Sequence, residues 1–240
     1  MENYYIYIIS LVLTILSLAV LSFYHIKFKP EWFSDDDAPE KERNIVRSNW
    51  KKYNIIGVIL GLVFSIIALI GVNITGFEHF SLYYPAITSV VTFLAVVSWL
   101  TDTNFRLVDR KILRLSFIII ASFVIAFLIF DGARSQLYMV LIVLVFASLM
   151  FFVPAMGLSD ARAVTIMFLA ITPFLGGQGL ILSITIATIV TIFYAIKKEG
   201  LKALHIKRKT SIPMVPLVLA PAAVTLSFGI YLPILLQALL

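Results

Sequence analysis

Two carboxylic acids stand where apolar stretches of this chain meet basic ones. Asp102 closes the apolar run 83–100 and opens the segment Thr101-Asp-Thr-Asn-Phe-Arg-Leu-Val-Asp-Arg-Lys111. Asp160 ends Gly157-Leu-Ser-Asp and starts the next apolar run. Carboxylates at a bilayer boundary are costly to desolvate, so their placement needs a reason. If they meet, close approach prevents both from ionising, and the pair shares one proton. The ionised member then takes a proton from water, while the protonated member hydrogen-bonds a scissile carbonyl and steadies the oxyanion. That is the chemistry of an aspartic protease. Asp160 opens a helix, where the macrodipole favours negative charge. It is assigned as the ionised partner and Asp102 as the proton donor, with exchange of the two roles left open. Taken singly, each acid also has a structural use as an interfacial loop residue or helix cap, Ser159 and Asp160 forming an N-cap. Asp109, amid Arg106, Arg110 and Lys111, reads as a salt-bridged loop acid.

The elements that must position these acids follow from composition. The 240 residues are 61% hydrophobic and 13% charged, with a mean hydropathy of +1.02. A soluble domain carries about a quarter charged residues, so the chain belongs in a bilayer. Its oily runs reach the roughly 18 to 20 residues that cross a hydrocarbon core. They lack strand-like alternation, which points to an all-α polytopic bundle and away from a barrel. About eight spans are predicted, over 4–26, 54–74, 83–101, 111–130, 136–155, 160–174, 179–196 and 213–238, within one integral-membrane domain, 1–240. The last span is long enough to bend near Pro221. The first run is too long for a secretory leader and lacks a basic start, so it is expected to be retained with the N-terminus outside.

Loop charge sets the expected orientation. Eighteen of the nineteen Lys and Arg fall on one side of this arrangement, and only Arg134 falls on the other. By the positive-inside rule that side is cytoplasmic, in a multi-pass protein of the cell membrane. The net charge of +6 thus belongs to loops facing the cytoplasm, and no nucleic-acid partner is expected. The segment 27–53 reads as a cytoplasmic polar loop, helical in part. Its Asp35-Asp-Asp37 run is either a solvated face or a surface that meets a basic substrate segment. Glu78 and Asp131 fall outside, while Asp102 and Asp160 fall at one depth on the inner face, where water is available for hydrolysis. The absence of cysteine excludes disulfides, Cys-ligated zinc and thiol nucleophiles. His25, His79 and His205 are far apart and at different depths, so no metal site and no cofactor are expected.

Three features, in order, resemble the type IV prepilin peptidases and preflagellin peptidases, membrane aspartic proteases related in motif to presenilin. The first is Asp102-Thr-Asn-Phe-Arg-Leu-Val-Asp-Arg-Lys-Ile112, an Asp at a span end followed by a basic turn. The second, Gly157-Leu-Ser-Asp-Ala-Arg-Ala-Val164, is similar to the family's Gly-x-Gly-Asp-x-Lys opening a helix. The third, Ser211-Ile-Pro-Met-Val-Pro-Leu-Val-Leu-Ala220, resembles the late Ile-Pro-x-x-Pro segment. The resemblance spans about 85–235 and leaves the N-terminal third unexplained. Ser159 replaces the second glycine, and Asp109 stands where proline is usual. The resemblance implies cleavage of short basic leader peptides from prepilin-like or preflagellin-like precursors at the cytoplasmic face. Asp102 and Asp160 would be catalytic, with Gly157, Ser159, Arg162, Pro213 and Pro216 along the substrate path. Family members that also N-methylate carry a Cys-rich metal loop, so cleavage without methylation is expected here.

A proton-coupled small transporter is the competing reading. It requires carboxylates at mid-membrane depth and helices related by a repeat, and the sequence presents neither. A catalytically inactive peptidase-like scaffold is the third. Gly57-Val-Ile-Leu-Gly61 fits a close-packing pattern that serves either an internal helix contact or a homodimer. Gly176-Gly-Gln-Gly179 reads as an external turn.

Overall fold

A computed structural model describes residues 3–28, 40–76, 82–105, 108–130, 141, 158–199 and 213–234. Its principal elements are helices: α1 (Asn3–Lys27), α2 (Glu40–Thr75), α3 (Tyr84–Phe105), α4 (Arg110–Phe130), α5 (Leu158–Glu199) and α6 (Met214–Phe228), which passes into a 3₁₀ turn at Gly229–Tyr231. Six helices are long and apolar enough to cross a membrane. The expected span 136–155 and the Asp35–Asp37 run lie outside the described residues.

The core is organised around α3. In its apolar stretch 89% of residues are buried, against 28% in α1 and 11% in α5. A helix apolar on all faces must be covered on all faces, and α3 is packed by α1, α2, α4, α5 and α6. Small and hydroxylated residues allow this close approach. Two of the hydroxyls are satisfied within the helix, Thr88 donating to Tyr84 O at 2.9 Å and Thr92 to Thr88 O at 2.8 Å. The outer helices instead present Ile8, Ile59, Ile118 and Phe193 outward, as a lipid-facing surface requires.

Pairwise contacts fix the directions. Tyr7 Oη donates to Asn73 Oδ1 (3.1 Å), and Asn54 Nδ2 to Ser22 Oγ (2.8 Å), so α1 and α2 are antiparallel. Gly57 lies against the Phe93 ring, and Gly61 against Leu18 and the Ser89 carbonyl. This makes α2 and α3 antiparallel and answers the question raised by the Gly-x-x-x-Gly pattern. Both glycines are buried in the seam between helices of one chain. Tyr84 Oη donates to Leu226 O at one end of α3, and Asp102 meets Val215 at the other, so α6 is antiparallel to α3.

The long helix α5 is a hairpin. Gly176 has φ 59° and ψ −155°, non-helical values. In a straight helix Val164 and Thr188 would be ~36 Å apart, yet both line one groove together with Met167 and Ile184. The chain therefore folds back at the Gly-rich turn, into two legs. That backbone conformation is open essentially to glycine alone. A Cβ at Gly176 would meet nothing within 4 Å, so Gly176→Ala isolates the backbone cost. It is expected to lower stability by ~1–3 kcal/mol, measured by thermal unfolding in detergent.

The helical part of the expected polar segment 27–53 begins at Glu40 and is continuous with the second span as α2. The last helix, α6, runs through Pro221 and changes character at Gly229. Pro216 sits in the first turn, where its missing N–H costs no intrahelical bond.

Candidate active site

One end of the bundle gathers the residues singled out by the sequence. It holds the C-terminal ends of α1, α3 and the second leg of α5, the N-terminal part of α2, and the N-terminal ends of α4, α5 and α6. Lys27, Lys51, Lys52, Arg110, Lys111, Arg114, Arg162 and Lys197 stand on these ends, so antiparallel packing collects the described basic residues on one face of the molecule.

Asp102 sits in the last turn of α3 and is only 5% exposed. Its Oδ2 accepts the Val215 backbone N–H at 3.2 Å. The chemistry of α6 explains this contact. The first N–H groups of a helix lack intrahelical partners, and here the N-cap is Pro213, whose side chain makes no capping bond. Asp102 supplies the acceptor from another helix, where the macrodipole also favours its charge. Pro213 and Pro216 are both buried in this segment. Two features far apart in sequence, Asp102 and the Pro213–Pro216 segment, are thus in direct contact.

Asp160 lies in the first turn of α5 and is partly exposed. The helix begins at Leu158, so Ser159 and Asp160 lie inside the first turn and do not form the N-cap ahead of it. Gly157 is outside the described residues. The heights of the two acids can be compared from a shared contact. The Tyr84 and Phe174 rings meet with centroids 5.1 Å apart. At the helical rise, Asp102 lies ~27 Å along α3 from that level and Asp160 ~21 Å along α5. Both acids are therefore at the same end, about one helical turn apart in height. The first turn of α6 links their surroundings. Met214 lines one groove with Val164, and Val164, four residues after Asp160, shares its face of α5.

Arg162 belongs to a different face. Residues two apart on a helix do not face one another, and Arg162 with Thr165 lines a groove against Leu113, Arg114, Phe117 and Ile118 of α4. The first leg of α5 thus presents Asp160 toward α6 and Arg162 toward α4.

Asp109 has a role that the sequence reading did not give it. It is the residue before α4, it is buried, and its Oδ1 accepts the Lys111 N–H at 2.8 Å. It is the N-cap of α4, legible in retrospect from an Asp directly ahead of an apolar periodic run. Asp109→Ala is expected to cost ~0.5–2 kcal/mol in thermal stability while leaving any catalytic activity of the folded fraction unchanged. Asp109 shares a small cavity with His25, Ser98 and Thr101. There His25 stacks on Trp50 at 3.9 Å between centroids, and Trp50 Nε1 donates to the His25 carbonyl at 2.8 Å. This latch between α1 and α2 went unrecognised because a lone His and a lone Trp carry no periodic signal. Among the described residues no three His, Cys, Asp or Glu side chains cluster to hold a metal ion.

The class these elements define is a helical membrane protein with Asp102, Asp109 and Asp160 at its basic end. A comparison of the chain with protein-family models, curated proteins and solved structures finds no match to any of the three.

Proposed function

We propose that this protein is a membrane-embedded aspartic endopeptidase that removes basic leader peptides from prepilin-like precursors at the cytoplasmic face of the cell membrane, without N-methylation. What supports the reading is the first turn of α6. It donates to Asp102 through Val215, and through Met214 it shares a groove with the Asp160 face of α5. An extended substrate segment leaving the bilayer there would run past Pro213 and Pro216, with an acid on either helix beside it. In the reaction the ionised acid removes a proton from water, whose oxygen bonds to the scissile carbonyl carbon. The protonated acid hydrogen-bonds the carbonyl oxygen, and collapse of the tetrahedral intermediate breaks the C–N bond as the leaving amine takes up a proton.

The proposed topology has eight spans with the N-terminus outside. The two legs of α5 count as separate spans, and the expected span 136–155 returns the chain between α4 and α5, which start at the same end. The basic end of the bundle then faces the cytoplasm, and the acidic stretch 35–42 meets the basic leader of the substrate. The test is processing of a co-expressed precursor by Asp102→Asn and Asp160→Asn variants. Cleavage retained in both ends the assignment.

A structural reading of Asp102 has an observation of its own, the bond from Val215 N. An amide oxygen also accepts an N–H, so Asp102→Asn keeps that bond, whereas Asp102→Ala removes it. A purely structural Asp102 predicts full activity in the Asn variant and loss of stability in the Ala variant alone.

A further inference from the structure

We infer that the groove between α4 and the first leg of α5 binds the phosphate-bearing headgroup of an anionic phospholipid, held by Arg114 and Arg162. The groove has a volume of about 300 Å³, at the lower end of the range for small-molecule sites. The inference does not rest on the peptidase reading, because it uses the face of α5 that turns away from Asp160.

The groove brings like charges together. Arg114 from α4 and Arg162 from α5 line it from opposite walls, and Arg162 is repelled by both Arg114 and Arg110. The Nη1 of Arg162 is buried and has no hydrogen-bond partner among the described residues. A buried donor without an acceptor costs free energy, and converging guanidinium groups add to that cost unless an anion lies between them. Guanidinium forks match phosphate oxygens in two-point hydrogen bonds.

The walls of the groove select among phosphate sources. One helical turn deeper than Arg114 lies Ile118, itself 59% exposed, with Phe117 beside it. Thr165 stands one turn deeper than Arg162, its hydroxyl already donated to Ala161 O at 2.8 Å. The site is therefore cationic at the basic end of the bundle and apolar immediately below. Charge at the interface over an apolar wall complements a charged headgroup with an attached acyl chain. Free phosphate would gain nothing from Phe117 and Ile118.

The experiment is native mass spectrometry of the full-length protein released from mixed micelles containing phosphatidylglycerol or phosphatidylcholine. Wild type is expected to retain one phosphatidylglycerol per chain in preference to phosphatidylcholine. Arg114→Gln with Arg162→Gln should weaken that retention by roughly thirty-fold. Lys51→Gln with Lys52→Gln, exposed on α2, should leave it unchanged. Each single arginine variant is measured as well, with its thermal unfolding, so that loss of lipid is read only from folded protein. Equal retention of the two lipids, or undiminished retention in the double arginine variant, overturns the inference. So does displacement of the lipid by millimolar inorganic phosphate alone, which would make the site one for a free anion.

Discussion

Asparagine at position 102 or 160 is expected to abolish processing of a basic-leader precursor, by at least ~10³-fold in rate, while membrane levels of the protein stay unchanged. The size of the effect follows from the division of labour. Neither half of the pair suffices, because one acid must take up the proton of water as the other shares its own proton with the carbonyl oxygen, and an amide can hydrogen-bond but neither takes up nor gives up a proton. Asp102 permits a sharper experiment than Asp160, since its carboxylate also accepts the Val215 N–H. Asp102→Asn should retain this bond and give a folded, inactive protein. Asp102→Ala should be inactive and also less stable by ~1–3 kcal/mol, the cost of leaving a buried donor unpaired. The pair of variants separates the proton-transfer role from the capping role, by immunoblotting of the precursor together with thermal unfolding of the purified enzyme. Among the described residues Asp160 makes no such hydrogen bond, and Asp160→Asn should differ from wild type in activity alone.

The largest effect on folding is expected from Gly61→Leu. A Cβ at Gly61 would lie 2.9 Å from Leu18 Cδ2 and 3.1 Å from the Ser89 carbonyl oxygen. The first neighbour is a flexible side-chain end, but the second is the backbone of the central helix. Leucine must therefore push α2 away from α3, the helix on which the whole core is built. Overpacking of this kind costs ~1–3 kcal/mol or more, and the loss of α2–α3 contact adds to it. The expected result is a lower yield of folded protein and a lower unfolding temperature in detergent. Gly57→Leu should also destabilise, because a Cβ there would lie 2.9 Å from the fully buried Phe93 ring. If Gly61→Leu instead dissociated a stable dimer without lowering the stability of the monomer, the internal packing role assigned here would fail.

Much of the architecture was legible because long apolar runs have few solutions in a bilayer. The spans at 4–26, 83–101 and 111–130 agree closely with α1, α3 and α4. The Gly-rich stretch at 176–179 has the composition of a turn, and Gly176 is where α5 folds back. The start of α2 was not legible, since charged residues at 40–53 look like a loop by hydropathy, although Trp50 and Val46 bury one face of that helix. The charged neighbours of Asp109 suggest a salt-bridged acid, and they say little about the helix it precedes, whose Lys111 N–H it also accepts.

The candidate site shows the same division. Asp102, Asp160 and the Pro213–Pro216 segment stood out from residue type and from position at the ends of apolar runs. Such local signals are one-dimensional, and hydropathy and loop charge carry them fully. Which acid touches which segment is a different kind of fact. That Asp102 caps α6, that Asp160 and Arg162 turn to opposite neighbours, and that two arginines converge on one groove depend on helix rotation and on partners from about 50 to 113 residues away. Only packing around α3 decides those, because in a bilayer the apolar pattern says that a helix is buried in oil but not which of its faces meets protein and which meets lipid.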